Sequence, residues 1–174
     1  MLYEEYKSCA IKHLNACQAL IESYQSSKND NEALFDLYYL SGYILEGYTV
    51  YKAYQLYEWD RKKDIKGYDE EFTKESGIVF YRNDIHGNNG LLCVESHNFQ
   101  AIKERLSSQF SAEFKNVPYF GEEIDTKTRT LIQRWKPKLR YDKHSHFLKE
   151  NGFLIDVNAL KKLFCTCNEI LTFI

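Results

Sequence analysis

The chain has 174 residues, 44% hydrophobic and 28% charged, a balance that excludes a disordered or low-complexity protein and supports one core without disulfide or metal staples. Two prolines and eight glycines are too few for a turn-dense β-sandwich, so the composition points to a helical single domain over residues 1–174. The formal charge of −2 names no partner until it is mapped along the chain.

Met1 to Glu5 is acidic where a secretory signal is basic, and the longest uncharged apolar run, Leu37 to Leu45, stops at Glu46. Five cysteines without a CxxC pair read as reduced thiols, so a cytoplasmic protein with no membrane contact is expected. Tyr3, Tyr6, Ala10, Leu14, Cys17, Ile21 and Tyr24 recur at spacings of three and four, the buried face of a first helix in which Cys9 and Cys17 are expected as core filler. Ser26 to Asn31 breaks it. A second helix is predicted from about Glu32 to Trp59, with Leu34, Leu37, Tyr38, Leu45, Tyr48 and Leu56 inward and Ser41, Gly42 and Gly47 allowing close helix approach.

Residues 60–96 read as an inserted segment or long connection with room for one short helix. Asn98 then caps a third helix carrying Phe99, Ile102, Leu106 and Phe110, ended by Asn116-Val117-Pro118 and Gly121. A fourth starts near Asp125 or Thr126 with Leu131, Ile132 and Trp135 inward, and Pro137 stops it. Asp156 caps the last helix, whose Val157, Leu160, Leu163, Phe164, Cys167, Ile170, Leu171 and Ile174 keep helical period. The expected fold class is an all-α, up-down bundle whose long helices pack antiparallel.

Charge is distributed unevenly. Between Thr126 and Lys149 the bases Lys127, Arg129, Arg134, Lys136, Lys138, Arg140, Lys143 and Lys149 face a single acid, Asp142. That stretch is +7 and leaves −9 for the rest of a chain totalling −2, the footprint of an anion-facing patch or of a solvated helix face.

Three short segments, Leu34 to Glu46, Ser96-His97-Asn98-Phe99 and Leu139-Arg140-Tyr141-Asp142, occur in an order that resembles the HEPN domain family (higher eukaryotes and prokaryotes nucleotide-binding). Leu34 to Glu46 resembles its second helix, Ser96-His97-Asn98-Phe99 its Thr-His-Asp-Leu segment, and Leu139-Arg140-Tyr141-Asp142 its Arg-Tyr-Pro segment. Val50 stands where the family usually has a Lys, and Asp142 replaces the Pro. The resemblance implies a HEPN-like bundle, a homodimer, and an RNA- or nucleotide-binding module with a nucleotidyltransferase or antitoxin as a partner. Tyr-rich helix faces suit such an interface.

Nuclease members of the family carry Arg, four to six residues, then His, which Arg140 and His146 match. In that alternative, a metal-independent ribonuclease, His146 moves a proton and Arg140 holds the phosphate. Arg134, Lys136, Lys138, Lys143 and His144 are the phosphate- or RNA-binding candidates beside them. Arg82 and His86 form a rival pair with only three residues between. Arg140 is otherwise expected in an ion pair with an acid such as Glu46, and His97 in a helix-start cap or a core hydrogen bond. A third reading makes the chain a protein-interaction domain with no nucleic-acid role.

His144, His146, Cys165 and Cys167 are zinc-type ligands, but two residues apart on a helix lie roughly 200° around it, so no metal is expected. No phosphate-binding loop or dinucleotide fingerprint is present, and no cofactor is expected.

Overall fold

The computed structural model describes residues 2–26, 31–65, 69–80, 92–94, 97–141 and 157–174. Helices dominate: α1 (Glu4–Ser26), α2 (Asn31–Leu56), α3 (Glu70–Ser76), α4 (Phe99–Gln109), α5 (Ser111–Phe114), α6 (Thr126–Arg134) and α7 (Val157–Leu171), with a 3-10 turn over Pro137–Tyr141. Two short strands, β1 (Ile78–Phe80) and β2 (Leu92–Val94), lie between α3 and α4. No helix among the described residues is long and apolar enough to cross a membrane.

The core is organised around α2. Leu34, Leu37, Tyr38, Ile44, Leu45, Tyr48, Val50, Tyr51 and Tyr54 are all buried, and residues this close in sequence cover most of a helix circumference. A helix apolar on nearly every side belongs in the middle of a fold. The other helices cover it with single faces. Tyr3, Ala10 and Cys17 of α1 are buried, with Tyr6, Leu14, Ile21 and Tyr24 packed at their edge, as the spacing predicts. Cys9 departs from the expectation of core filler and is exposed. It precedes Ala10 by one residue, about 100° around the helix, which takes it off the inner face.

Gly47 lets α1 close on α2: a Cβ there would stand 2.8 Å from the Tyr6 carbonyl oxygen and 2.9 Å from the Ala10 Cβ. Further along, Cys17 Sγ lies 3.9 Å from both the Leu37 carbonyl oxygen and Ser41 Oγ. Ala10 opposite Gly47 and Cys17 opposite Ser41 make the α1–α2 pair antiparallel. The expectation of antiparallel packing fails for the other two long helices against α2. In α7, Val157 shares an apolar pocket with Leu34 and Leu37 while Cys167 Sγ donates to the Ser41 carbonyl at 3.7 Å, so α7 runs in the same direction as α2. In α4, His97 just before the helix meets Glu46, and Phe110 just after it meets Tyr57 edge-on at 5.2 Å, so this helix is also parallel to α2. The physical reason is the length of the intervening segment, residues 57–98, which allows the chain to travel back before α4 begins.

The described part of that segment is itself packed. Glu58 adopts φ 54°, its N–H donates to the Gln55 carbonyl at 3.1 Å, and the Trp59 N–H reaches back to the Tyr54 carbonyl at 3.0 Å. This paired closure ends α2 at Leu56, before the expected Trp59, and without the glycine that usually announces it. Asp69 then caps α3 through the amides of Glu71 and Phe72. Phe72 stacks on Tyr54 at 4.2 Å and meets Trp59 edge-on at 5.7 Å. β1 and β2 pair in parallel, Ile78 opposite Leu92 and Phe80 opposite Val94, with Ile78 and Val79 buried. The fold is thus mostly helical, as expected, with one small strand pair added between α3 and α4. Isolated three-residue strands hold only when packed on a core, and the buried Ile78 and Val79 supply that packing.

Candidate functional site: a cleft between α4 and the end of α6

Asp125 caps α6 as the sequence predicts, accepting the Thr128 amide at 3.1 Å and the Thr128 hydroxyl at 2.6 Å. These bonds, the hydroxyl first, hold the Asp125 carboxyl below its usual value. At the other end of α6 the last carbonyls lack partners within the helix. Two side chains from neighbouring helices supply them: the Tyr38 hydroxyl donates to the Leu131 carbonyl at 2.7 Å, and Gln100 Nε2 to the Ile132 carbonyl at 2.8 Å. Burial pushes the Tyr38 phenol far above its usual range, with the nearby Arg134 charge partly opposing the shift.

These two bonds fix where Trp135 enters the core. Its indole occupies the space that a side chain at Gly42 would need, since a Cβ on Gly42 would stand 1.9 Å from the ring. Trp135 Nε1 donates to the Tyr39 carbonyl at 2.9 Å. Tyr43 meets Trp135 edge-on at 5.1 Å and His97 edge-on at 5.9 Å, and Phe99 leans on the indole at 5.7 Å. The small residues of α2 therefore serve close approach, and at Gly42 the approaching group is a tryptophan.

On this aromatic floor lies a cleft of about 230 Å³ lined by His97, Asn98, Phe99, Gln100, Gln133, Trp135, Lys136 and Pro137. His97 has φ 64°, and its carbonyl accepts the Phe99 amide at 2.8 Å, so the chain turns sharply before α4. Its Nδ1 is 2.7 Å from Glu46 Oε1 of α2. The Glu46 side chain is only 6% exposed and the His97 side chain 35% exposed. The carboxylate thus lies beneath the floor, with the imidazole between it and the solvent. Because Nδ1 is engaged with Glu46, the ring edge left to the cleft carries Nε2.

A second cleft, of about 210 Å³, adjoins the first at Gln133. It carries Lys103 and Arg129 but also Glu104, Glu122 and Glu123, so the acids outnumber the bases. Burial lowers the Lys103 ammonium, whose nitrogen is 4.8 Å from the Tyr119 ring centre. Among the described residues, Lys136 is the only lysine, arginine or carboxylate lining the first cleft. Between the two, an anion is favoured in the first.

The predicted site residues divide three ways. Lys136 lines the first cleft, and Lys138 is exposed on the adjoining 3-10 turn. Arg134 is half-buried and acts toward Tyr38. The backbone of Arg140 belongs to the 3-10 turn, but its side chain, with Lys143, His144, His146 and the rival pair Arg82 and His86, lies outside the described residues. The pairing of Arg140 with Glu46 falls outside them for the same reason. His97 makes the core hydrogen bond expected of it, while the helix cap is Asn98, whose side chain accepts the Ala101 amide at 3.4 Å. Cys165 is exposed and Cys167 buried, opposite sides of α7 as their spacing requires, and no cluster of metal-ligating side chains occurs among the described residues.

The Glu46–His97 pair, Gln100 and Gln133 were absent from the site drawn from sequence. The one signal available was that Glu46 and His97 each stand in a segment resembling the same family. No family model, curated protein or solved structure matches the chain.

Proposed function

We propose that the chain is a HEPN-like, non-catalytic module that binds RNA or a nucleotide, with the phosphate held in the cleft beside His97. The charge contrast between the two adjoining clefts supports this reading: among the described residues the first offers Lys136, with Lys138 nearby, and no lining carboxylate, while the second is acid-rich. Gln100 and Gln133 add amide groups able to bond phosphate or base edges. The aromatic floor of Trp135, Phe99 and Tyr43 holds these groups on a rigid support. A homodimer, and a nucleotidyltransferase or antitoxin as partner, belong to the same reading.

Fluorescence anisotropy with a labelled single-stranded RNA and with a labelled nucleotide, across a salt series, tests it. Binding that weakens steeply with salt is expected, because phosphate contacts release counterions. The double variant Lys136→Glu, Lys138→Glu is expected to reduce affinity at least roughly tenfold and flatten the salt dependence. Absence of binding at about 50 mM salt, or a double variant indistinguishable from the parent, would sink the proposal. RNA cleavage in EDTA, lost in His146→Ala, would replace it by the ribonuclease alternative with Arg140 and His146. Light scattering reads the dimer directly.

A further inference from the structure

We infer that the first cleft reads a base as well as a phosphate, and that Gln100 makes it favour a base with an exocyclic amino group, cytosine or adenine, over uracil. The inference rests on the proposed reading of this cleft as an RNA- or nucleotide-binding site and adds its substrate class. A glutamine amide can ordinarily turn either its oxygen or its nitrogen to a ligand. Gln100 has lost that freedom. Its Nε2 donates to the Ile132 carbonyl at 2.8 Å, and a carbonyl oxygen only accepts, so the reversed amide would set two oxygens against each other. The end left for a ligand is Oε1, an acceptor, which has no hydrogen-bond partner among the described residues. Asn98 is fixed the other way: its Oδ1 accepts the Ala101 amide at 3.4 Å, which leaves the Nδ2 donors. Lys136 is a donor only. All three side chains line the same cleft, so it holds one fixed acceptor among donors. A phosphate, whose oxygens accept, suits Lys136 and is repelled by Gln100 Oε1. That oxygen calls for a donor on the ligand. Cytosine and adenine carry an amino donor beside a ring-nitrogen acceptor, an edge that meets Gln100 Oε1 and Asn98 Nδ2 together. Uracil sets a carbonyl oxygen where cytosine has the amino group and would face Oε1 with like polarity. A ribose 2′-hydroxyl could meet Oε1 but leaves Asn98 unanswered, and it is common to every nucleotide of RNA.

The experiment uses the full chain with labelled oligocytidine and oligouridine of equal length, at neutral pH and low salt. The two RNAs carry the same phosphates and sugars and differ only at the base edge. The parent is expected to bind oligocytidine roughly three- to tenfold more tightly, the worth of one net hydrogen bond. Gln100→Met keeps the length of the side chain and removes its polar end. The Ile132 carbonyl still accepts the Trp135 amide at 3.3 Å, so α6 keeps that closure, and circular dichroism checks that the helices remain. In this variant the preference is expected to vanish while oligouridine binding is kept. Gln100→Lys retains a donor for the Ile132 carbonyl and has no acceptor. It is expected to tighten both RNAs through its charge and to lose or reverse the preference, since an ammonium can meet the uracil carbonyl. Should Gln100→Met unfold the chain, Gln100→Lys decides alone. Equal binding of the two RNAs by the parent, or a preference that survives in either folded variant, overturns the base reading and leaves the phosphate-binding module standing. If neither RNA binds, both fail together.

Discussion

Two neighbouring positions of α2, Ser41 and Gly42, are both small, and the structure uses them in opposite ways. Ser41 faces a dry junction of three helices. Its hydroxyl donates to the Leu37 carbonyl at 2.8 Å, Cys17 stands beside it, and Cys167 Sγ donates to its carbonyl. Every group there is neutral and wholly buried. Gly42, one residue on and about 100° around the helix, faces Trp135, and Glu46 one turn later on the same side faces His97. That side leads through an aromatic layer to solvent. Small residues on a central helix therefore permit two outcomes, a sealed joint or the floor of a cleft, and the group that approaches them decides which.

The sharpest way to break the contrast is Gly42→Ala. The added methyl has no room beside the indole, so Trp135 must leave its seat, with a cost near the upper end of the ~1–3 kcal/mol typical of overpacked cores. Urea unfolding followed by circular dichroism reads the loss. Trp135 emission is expected to shift to the red, and cleft binding to fall with it. Ser41→Ala, by contrast, removes a hydroxyl bonded to the Leu37 carbonyl and the Cys17 thiol, away from the indole, and is expected to leave Trp135 emission unchanged.

The sealed joint has its own chemical signature. Burial pushes the Cys17 thiol up to about 11, with the Ser41 hydrogen bond partly opposing, and raises Cys167 well above its ordinary value. Thiolate is the reactive form, so near pH 8 both thiols are almost fully protonated and inert. Cys9 and Cys165 are exposed. Brief iodoacetamide treatment of the native protein, followed by peptide mass spectrometry, is expected to label Cys9 and Cys165 at least about a hundredfold faster than Cys17 and Cys167. Equal labelling would mean that the joint opens.

The cleft side depends on α6 being held at both ends. Asp125→Ala is expected to cost about 1 kcal/mol through loss of the cap. Because the folded state holds the Asp125 carboxyl below its usual value, the cap's contribution is present above the unfolded value of about 4. It is lost as pH falls through the lowered folded value. Acid unfolding of the parent and of Asp125→Ala is therefore expected to converge at low pH.

The smallest expected effect is a gain. Among the described residues, the buried Tyr48 hydroxyl has no hydrogen-bond partner, and its ring meets Phe120 edge-on at 5.1 Å. Tyr48→Phe keeps the ring and removes the desolvated hydroxyl, so a rise in stability of up to about 1 kcal/mol is expected in urea unfolding. A fall instead would show that the hydroxyl is served.

Much of the local structure was legible. Asn98 and Asp125 are caps because their side chains answer amides two or three residues on, a relation contained in a short stretch of sequence. The inner faces of α1 and α7 follow from a 3.6-residue period, which places Ala10 and Cys17, or Leu160, Leu163 and Cys167, toward the core. The end of α2 was less legible, because Glu58 takes a left-handed turn without a glycine to mark it. Of the candidate site, Lys136 and Lys138 were visible as part of a basic stretch. Glu46 and His97 were visible only as separate motif residues, each open to a different partner.

The sequence by itself determined which segments are helical, which of their faces are apolar, and that one central helix is small enough at Ser41, Gly42 and Gly47 for close neighbours. Those properties depend on residues a few positions apart, whose relative placement the helix dictates. Tertiary structure alone decided that α4 and α7 run parallel to α2, that Trp135 fills the space at Gly42, and that Glu46 meets His97 across 51 residues. No periodicity encodes these relations. The length of the 57–98 segment allows the chain to return before α4, and the buried contacts of Phe72, Phe99 and Trp135 determine where it stops. The position of a charge relative to solvent is settled at the same level, which is why a carboxylate and an imidazole from distant segments come to lie one behind the other at the floor of a cleft.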